Sequence, residues 1–519
     1  MRHFIFTVFT VCVMATHQSH AQSSAQIRID DGILEGVDES GVYAFKGIPF
    51  AAPPVGDFRW REPQPVKPWS GVRKADHFGP RAMQLPLFSD MVFRSDGMSE
   101  DCLYLNVWTP AKDFDEGLPV LVYFYGGGLR AGDGSEFRYD GEAMARNGIV
   151  MVTVNYRLSI FGFFSHPELS QESPSGASGN YGLLDQYAAL KWVQENISAF
   201  GGDPDNVTIA GESAGSFSVS AQMASPLSKS LFHAAIGESG SLLGRPITTL
   251  AAAEAQGIAF AKALEAPSLE ALRALPAEEL LDATTKPEAN FGVNIDGYFF
   301  TKSPVDVFKA GEQAQVPLLA GWNNQESDAR AILGELAPTV ANFTAAVRER
   351  FDGDAEAVLA VYRPSGDAEV EQVATDLASD QFIGYGTWRW LDLHSQTGGS
   401  PVYRYYYSRP RPATRAGGGL AAKGAVHSAE IEYALGNLAT NRVFDWQPED
   451  AKVSAILQNY FVNFVRWHNP NGLGVPFWPA LKKNQPATIM QIDVETRAAT
   501  ELYRERYLKL QEIADAEKR

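Results

Sequence analysis

Cysteine is scarce in this sequence, with two residues in 519, Cys12 and Cys102. A chain with so few thiols cannot build a disulfide framework, so its stability must come from its core. Basic residues are also in the minority, 44 Lys and Arg against 62 Asp and Glu, which gives a formal net charge of −18. This acidic balance argues against a partner such as nucleic acid or an anionic membrane surface.

The sequence also lacks any apolar run of about 18 residues, the length needed to cross a bilayer. A shorter apolar run at 4–15 follows Arg2, and Ser-His-Ala, ending at residue 21, resembles a small-residue cleavage site. This layout predicts a signal peptide at 1–21 and no membrane insertion after its cleavage. Cleavage would leave Cys102 as the only cysteine, as is typical of an exported bacterial protein, periplasmic or secreted.

Apolar stretches of strand length alternate with helix-like stretches along the chain. The clearest helix is predicted within "NYGLLDQYAALKWVQENISAF", where Leu183, Tyr187, Leu190, Val193 and Ile197 share one face. Such alternation predicts an α/β fold around a large, mostly parallel central sheet flanked by helices. The strand-like stretches are "VLVYFY", "IVMVTVNY", "VTIAG", "VPLLAGW" and "VYRYYY".

No linker, repeat or heptad run divides the remaining chain. We therefore expect one domain at 22–519, with helical insertions near 241–315 and 328–400, where helix-forming residues are enriched.

One short motif points to chemistry. Gly211-Glu212-Ser213-Ala214-Gly215 matches G-x-S-x-G, with a β-rich run before it and a helix-compatible run after it. In that context a nucleophilic serine sits on a sharp turn between strand and helix. The alternative for five residues alone is a helix start capped by serine.

Longer motifs extend this reading. The stretch "FGGDPDNVTIAGESAG" at 200–215 resembles the serine-site signature of the type-B carboxylesterase and cholinesterase family of α/β-hydrolases. The stretch "EDCLYLNVWTP" at 100–110 resembles that family's second signature, and further similarities span most of the chain, as in bacterial p-nitrobenzyl-type esterases. The resemblance implies an α/β-hydrolase fold, with the helical insertions lying over the active site.

A serine hydroxyl needs a base, and the base needs a third group to orient it. The segment "KGAVHSAEIEYALGN" resembles the family's catalytic-histidine segment, which implies His427 as the base. The family places its acid after a strand, which implies Glu326 in "VPLLAGWNNQESDAR". Ser327 stands where the family often has glycine, so the turn geometry differs, and Asp328 remains the alternative acid.

The glycines of "VLVYFYGGGLRAG" suit a group that must approach the backbone closely. A phosphate-binding loop would need a following Gly-Lys-Ser/Thr, which is absent. By resemblance, the loop forms an oxyanion hole from the N–H groups of Gly127, Gly128 and Ala214. Tyr125 occupies the position of the family's usual His, either as a hydrogen-bonding support for the loop or as a plain buried aromatic.

Two further residues match positions that support the family's active site. Glu212 corresponds to an acidic residue near the attacking water, and Ser239 to a serine that hydrogen-bonds the acid and the histidine. For Ser239 the alternative is an ordinary helix-start serine. Aromatic residues that could line a substrate pocket, or simply fill the core, are Phe291, Trp322, Phe382 and Trp388.

Together these features predict a serine carboxylesterase acting on a small-molecule ester, without metal or organic cofactor. The same side chains could cleave an amide, carbamate or lactone, and the family also contains non-catalytic adhesion proteins. With an ordinary imidazole as base, the rate should rise through roughly pH 6 to 7.5.

Overall fold

The computed structural model describes residues 25–416, 422–483 and 485–516. The proposed signal peptide at 1–21 lies outside the described residues. At the centre is a mixed sheet of eleven strands. In chain order these are β1 (Val37–Asp38), β2 (Tyr43–Pro49), β3 (Tyr104–Thr109), β4 (Leu118–Phe124), β5 (Val150–Val154), β6 (Gly202–Glu212), β7 (Ala234–Glu238), β8 (Leu318–Asn323), β9 (Val402–Tyr407), β10 (Thr488–Ile492) and β11 (Arg497–Thr500).

The spatial order of the strands is β1-β2-β3-β5-β4-β6-β7-β8-β9-β10-β11. The run from β5 through β10 is parallel, whereas the pairs at both edges are antiparallel. The expected fold class, a mostly parallel sheet flanked by helices, is confirmed. Its inner strands are apolar along their length, as β5 with five buried residues illustrates, because helices cover both faces.

Helices connect and cover the strands. They are α1 (Glu142–Ala145), α2 (Ser159–Phe163), α3 (Pro167–Glu172), α4 (Tyr181–Asn196), α5 (Ala214–Ala224), α6 (Leu250–Ala263), α7 (Leu269–Ala274), α8 (Ala277–Ala283), α9 (Pro304–Ala310), α10 (Arg330–Leu333), α11 (Val340–Phe351), α12 (Ala355–Val361), α13 (Asp367–Ser379), α14 (Tyr385–Thr397), α15 (Ile431–Leu435), α16 (Pro448–Trp467) and α17 (Arg504–Ala516). A π-helical turn, Asp380–Gly384, joins α13 to α14.

Shorter strand pairs lie outside the central sheet. Gln26–Ile29, Gly32–Glu35 and Val72–Lys74 form a three-stranded sheet, and two-stranded ladders pair Thr248–Thr249 with Asn294–Ile295 and Arg81–Ala82 with Met98–Ser99. In the part of the chain that the structure describes, no helix is both long and apolar enough to span a bilayer. Cys102 is buried and unbonded to another cysteine.

Three groups of buried apolar residues stabilise the molecule. The largest surrounds the central sheet. A second packs helices α6 to α8 against Trp60 and Phe164, and a third lies within α10 to α13. The insertion between β8 and β9 therefore contains a core of its own beside the sheet, whereas the insertion between β7 and β8 shares its core with residues of α2, α3 and α4.

The parallel register brings the carboxyl ends of three strands together. Glu212 at the end of β6 lies opposite Glu238 at the end of β7, and Glu238 lies opposite Gly321 in β8. Side chains that directly follow these strands therefore converge at one edge of the sheet, the usual place for a ligand site in such folds.

Candidate active site

Ser213 lies on a sharp turn between β6 and α5. Its backbone has φ of +55°, in the left-handed region that non-glycine residues rarely adopt. The flanking glycines are needed for space, because a Cβ on Gly215 would lie 2.0 Å from the Phe124 carbonyl oxygen. The strained turn is held by the Ser213 N–H, which donates to the carbonyl of Glu238 at 2.8 Å.

A chain of hydrogen bonds runs from this serine to a buried carboxylate. The Ser213 Oγ lies 2.9 Å from Nε2 of His427, and Nδ1 of His427 lies 2.6 Å from Oε2 of Glu326. The other oxygen of Glu326 accepts hydrogen bonds from the Asn323 N–H at 2.6 Å and the Ser239 hydroxyl at 2.7 Å. A carboxylate at Nδ1 favours the tautomer whose Nε2 can accept a proton from serine.

The structure thus brings together the three residues that the sequence suggested, although they lie far apart in the chain. Glu326 follows β8, and His427 lies in the segment that leads into α15. Asp328, the alternative acid, is exposed and accepts a hydrogen bond from the Arg330 N–H instead.

The glycine loop after β4 passes beside the serine. A Cβ on Gly127 would lie 2.2 Å from the Ala131 carbonyl oxygen, and Gly127 and Gly128 both have positive φ, so a larger residue would displace the loop. Among the described residues, no acceptor is paired with the N–H groups of Gly127, Gly128 or Ala214. Unpaired backbone donors beside a nucleophile can stabilise negative charge on a substrate oxygen.

Tyr125 fixes the start of this loop. Its hydroxyl donates to the Tyr156 carbonyl at 3.1 Å, the Tyr156 hydroxyl donates to the Tyr125 carbonyl at 2.7 Å, and the two rings stack at 4.4 Å. Tyr125 is therefore buried and also hydrogen-bonded to Tyr156, which lies just after β5.

Residues 23–510 match the model of the carboxylesterase family. The chain belongs to this family. The carboxylesterase is 40% identical over 470 residues to a fumonisin B1 esterase of Sphingopyxis macrogoltabida, a match that covers 87% of this chain and 84% of the relative.

Solved structures agree with this membership. A carboxylesterase of Geobacillus stearothermophilus superimposes with a TM-score of 0.79 at 31% identity, covering 93% of this chain and 99% of that chain. A PNB esterase gives the same TM-score, identity and coverage. The protein is a carboxylic ester hydrolase, as its sequence predicted.

Carboxylates surround the imidazole of this carboxylesterase. Oε1 of Glu212 accepts a hydrogen bond from the Ser428 hydroxyl at 2.8 Å and lies 3.3 Å from Nε2 of His427. Burial lowers the pKa of an imidazole, but Glu212 and Glu326 outweigh this effect and raise the pKa of His427 to about 9. Burial raises the pKa of Glu212 itself.

Glu430 and Asn323, two residues near Ser239, had been assigned no function from the sequence. The Ser239 hydroxyl lies 2.8 Å from Oε1 of Glu430 as well as beside Glu326, and Nδ2 of Asn323 donates to Oε2 of Glu430 at 2.6 Å. Glu430 stands three positions after His427, in the turn that leads into α15. This spacing was the one feature of the sequence that could have indicated a position near the histidine. Asn323, the last residue of β8, had no such feature.

Of the four aromatic candidates for a substrate pocket, one reaches the histidine. Phe382, in the π-helical turn, is 44% exposed and meets the His427 ring edge-on at 5.1 Å. Trp322 and Trp388 pack against Tyr507 in the core, and Phe291 packs against Phe164. On the other side, the methyl carbon of Met91 lies 3.1 Å from where a Cβ on Gly127 would be.

The other histidines of the described ranges have partners away from Ser213. His77 contacts Asp76, His166 caps α3, His233 accepts from the Val207 N–H, His394 contacts Gln313, and His468 contacts Asn206. Within the described ranges, no group of three or more His, Cys, Asp or Glu side chains is arranged to hold a metal ion.

Proposed function

We propose that this carboxylesterase cleaves esters through an acyl-enzyme on Ser213, with His427 as general base and Glu326 as its orienting acid. The observation that supports this most directly is the unbroken chain of two short hydrogen bonds from Ser213 through His427 to Glu326. It lies beside a glycine loop in which the N–H groups of Gly127 and Gly128 face no acceptor among the described residues.

In the first half-reaction, His427 Nε2 takes the Ser213 proton while Oγ attacks the ester carbonyl carbon. The carbonyl oxygen becomes an oxyanion that accepts hydrogen bonds from the N–H groups of Gly127, Gly128 and Ala214. Collapse of this intermediate expels the alcohol, which His427 protonates. A water molecule then repeats the sequence and releases the acid, with Glu212 close to the histidine where that water must be activated.

An active-site-directed fluorophosphonate should label this enzyme once, at Ser213. The reagent needs an activated serine, and its phosphoryl oxygen occupies the oxyanion hole. Intact mass should show one adduct and peptide mapping should place it on Ser213, whereas acid-denatured protein should stay unlabelled. An adduct on Ser239 or Ser428, or none on folded protein, would contradict the assignment.

We propose that the substrate is an ester with an apolar portion beside the scissile bond. Phe382 on the histidine side and Met91 on the glycine-loop side support this choice, since both present apolar surface next to the reacting atoms. The preferred acyl length can be ranked by how strongly each p-nitrophenyl ester, from acetate to octanoate, slows labelling of Ser213 by the fluorophosphonate. Fumonisin B1 belongs in the same series because a relative of 40% identity is named for its hydrolysis.

The pH dependence should lie higher than an ordinary imidazole would give. His427 must be neutral to accept a proton, and its pKa is raised to about 9, so kcat/KM should keep rising above pH 7.5. Replacing Glu212 with Gln removes a negative charge beside the ring and should move the midpoint down by about one unit. A profile that is flat from pH 5 to 9, or unmoved in E212Q, would contradict this electrostatic account.

We propose further that residues 22–519 form one exported domain after cleavage of a signal peptide at 1–21. The charge and apolar pattern of the first 21 residues supports export. N-terminal sequencing of protein recovered from the periplasm or medium tests the cleavage position.

A further inference from the structure

Behind the proposed triad, one hydroxyl stands between two carboxyl groups. The Ser239 Oγ lies 2.7 Å from Oε1 of Glu326 and 2.8 Å from Oε1 of Glu430. All three side chains are buried. Both separations are hydrogen-bond distances, so both contacts need a proton between their oxygens.

A serine hydroxyl has only one proton to donate, so it cannot donate to both acids at once. Glu326 is committed as an acceptor, because the Asn323 N–H and the Nδ1–H of His427 also point at it. The Ser239 proton therefore goes to Glu326. The remaining contact requires that Glu430 donate to Ser239.

The rest of the Glu430 carboxyl fits this proton count. Its Oε2 accepts from Nδ2 of Asn323 at 2.6 Å, which is the role of the carbonyl oxygen in a protonated acid. Its Oε1 then carries the proton, and among the described side chains Ser239 is its one hydrogen-bond partner.

We propose that Glu430 is a positioning residue that works as a neutral carboxylic acid, holding Glu326 in place through the chain Glu430–H to Ser239–H to Glu326. This proposal rests on the function proposed above. In this chain the proton of Glu430 lets Ser239 donate to Glu326, so that the ionised carboxylate stays aimed at His427.

The surroundings of Glu430 favour the neutral form. Burial, followed by the nearby carboxylates of Glu212 and Glu326, raises the pKa of Glu430 to about 8. The titratable groups that surround it on the neighbouring elements are Glu212, Glu238, Glu326, Tyr405, Tyr407 and His427. Burial, followed by the nearby carboxyl group of Glu430, also raises the pKa of Glu238.

Two substitutions at position 430 test whether a neutral hydrogen-bonding group is sufficient there. Glutamine at position 430 keeps the shape of a protonated acid, with an N–H for Ser239 and an oxygen for Asn323, so E430Q should retain a kcat close to that of the wild type. Leucine keeps the bulk without either group, so E430L should lose about 10²-fold in kcat because Glu326 loses its fixed position. Thermal melting of both variants checks that each is folded.

Two further readouts would not change if Glu430 had a merely structural role. They are the pH profile of the wild type against that of E430Q, and the energetic coupling between positions 239 and 430. As pH rises through about 8, the wild-type rate should fall relative to that of E430Q, since only the wild type can ionise there. The double variant S239A/E430L should be no slower than the slower single variant, because both break the same chain. Additive losses, or an E430Q enzyme as slow as E430L, would overturn the proposal.

Infrared difference spectra report the proton without any need for catalysis. Wild type minus E430Q at pH 6.5 should contain the carbonyl band of a protonated carboxylic acid and should lose it at high pH. A carboxylate band instead would overturn the proposal. Because this reading is independent of turnover, it remains informative if Ser213→Ala shows that the proposed triad itself is wrong.

Discussion

Replacing Ser213 with alanine should lower kcat for a p-nitrophenyl ester by about 10⁶, the loss seen when a nucleophile is removed from a triad that acts as a unit. The expected size follows from geometry. Without Oγ, His427 has no proton to take, and the acyl-enzyme route is closed. A small residual rate over water should persist, because binding and the backbone donors of the glycine loop survive.

Ser220 offers a matched control on the same helix. Its hydroxyl donates to the Phe217 carbonyl, accepts the Leu242 N–H and has no contact with His427, so S220A should stay within a few-fold of the wild type once thermal melting shows that it is folded. Steady-state kinetics and fluorophosphonate labelling of both variants should agree. If S213A kept substantial activity that the reagent did not block, the nucleophile would have to be assigned elsewhere.

Replacing Glu326 with glutamine should lower kcat by about 10⁴ while leaving the fold intact. The carboxylate now accepts the Nδ1–H of His427 at 2.6 Å. An amide N–H in its place can donate to Nδ1 and stabilise the tautomer that carries its proton on Nε2, where Ser213 needs an acceptor. The loss should therefore appear in kcat far more than in KM.

Asp328 provides the control for this experiment, two residues along the same turn. It is exposed and contacts the Arg330 N–H, so D328N should be close to wild type. A large loss in D328N with a small one in E326Q would reverse the assignment of the acid.

The sequence predicted the fold where strands are rich in β-branched and aromatic residues. The stretch "VYRYYY" became β9 and "IVMVTVNY" became β5, both near the expected positions. By contrast, β7 consists of Ala-Ala-Ile-Gly-Glu, a sequence with little strand preference. It forms a strand because β6 and β8 pair with it on both sides, which is long-range information that no local pattern contains.

The burial of charged residues also could not be predicted from the sequence. In α4 the sequence showed one apolar face, yet Asp185 is fully buried because Arg157, from the segment before α2, forms a bidentate pair with it. Periodicity cannot reveal a partner that lies elsewhere in the chain.

At the site, motifs indicated which side chains take part but not their protonation states. Ser213, His427 and Glu326 were indicated by resemblance, and the structure brings them within hydrogen-bond distance. The expected rise in rate between about pH 6 and 7.5 assumed an isolated imidazole. That expectation did not include the buried carboxylates around His427, because their proximity depends on the alignment of the strand ends.

The π-helical turn between α13 and α14 has a consequence for how the surface beside His427 can change over evolution. At its start, the Ser379 hydroxyl accepts the Ser327 N–H beside the acid, and three residues later Phe382 covers the histidine ring. An α-helix turns about 100° per residue, and a π turn contains one residue more than an α turn. Deleting that residue would rotate α14 against α13, so the helices could not keep their packing with Phe382 still over His427. The apolar surface beside His427 is therefore set by the number of residues in this turn as much as by their type, so we expect insertions and deletions here to change substrate preference more than substitutions do.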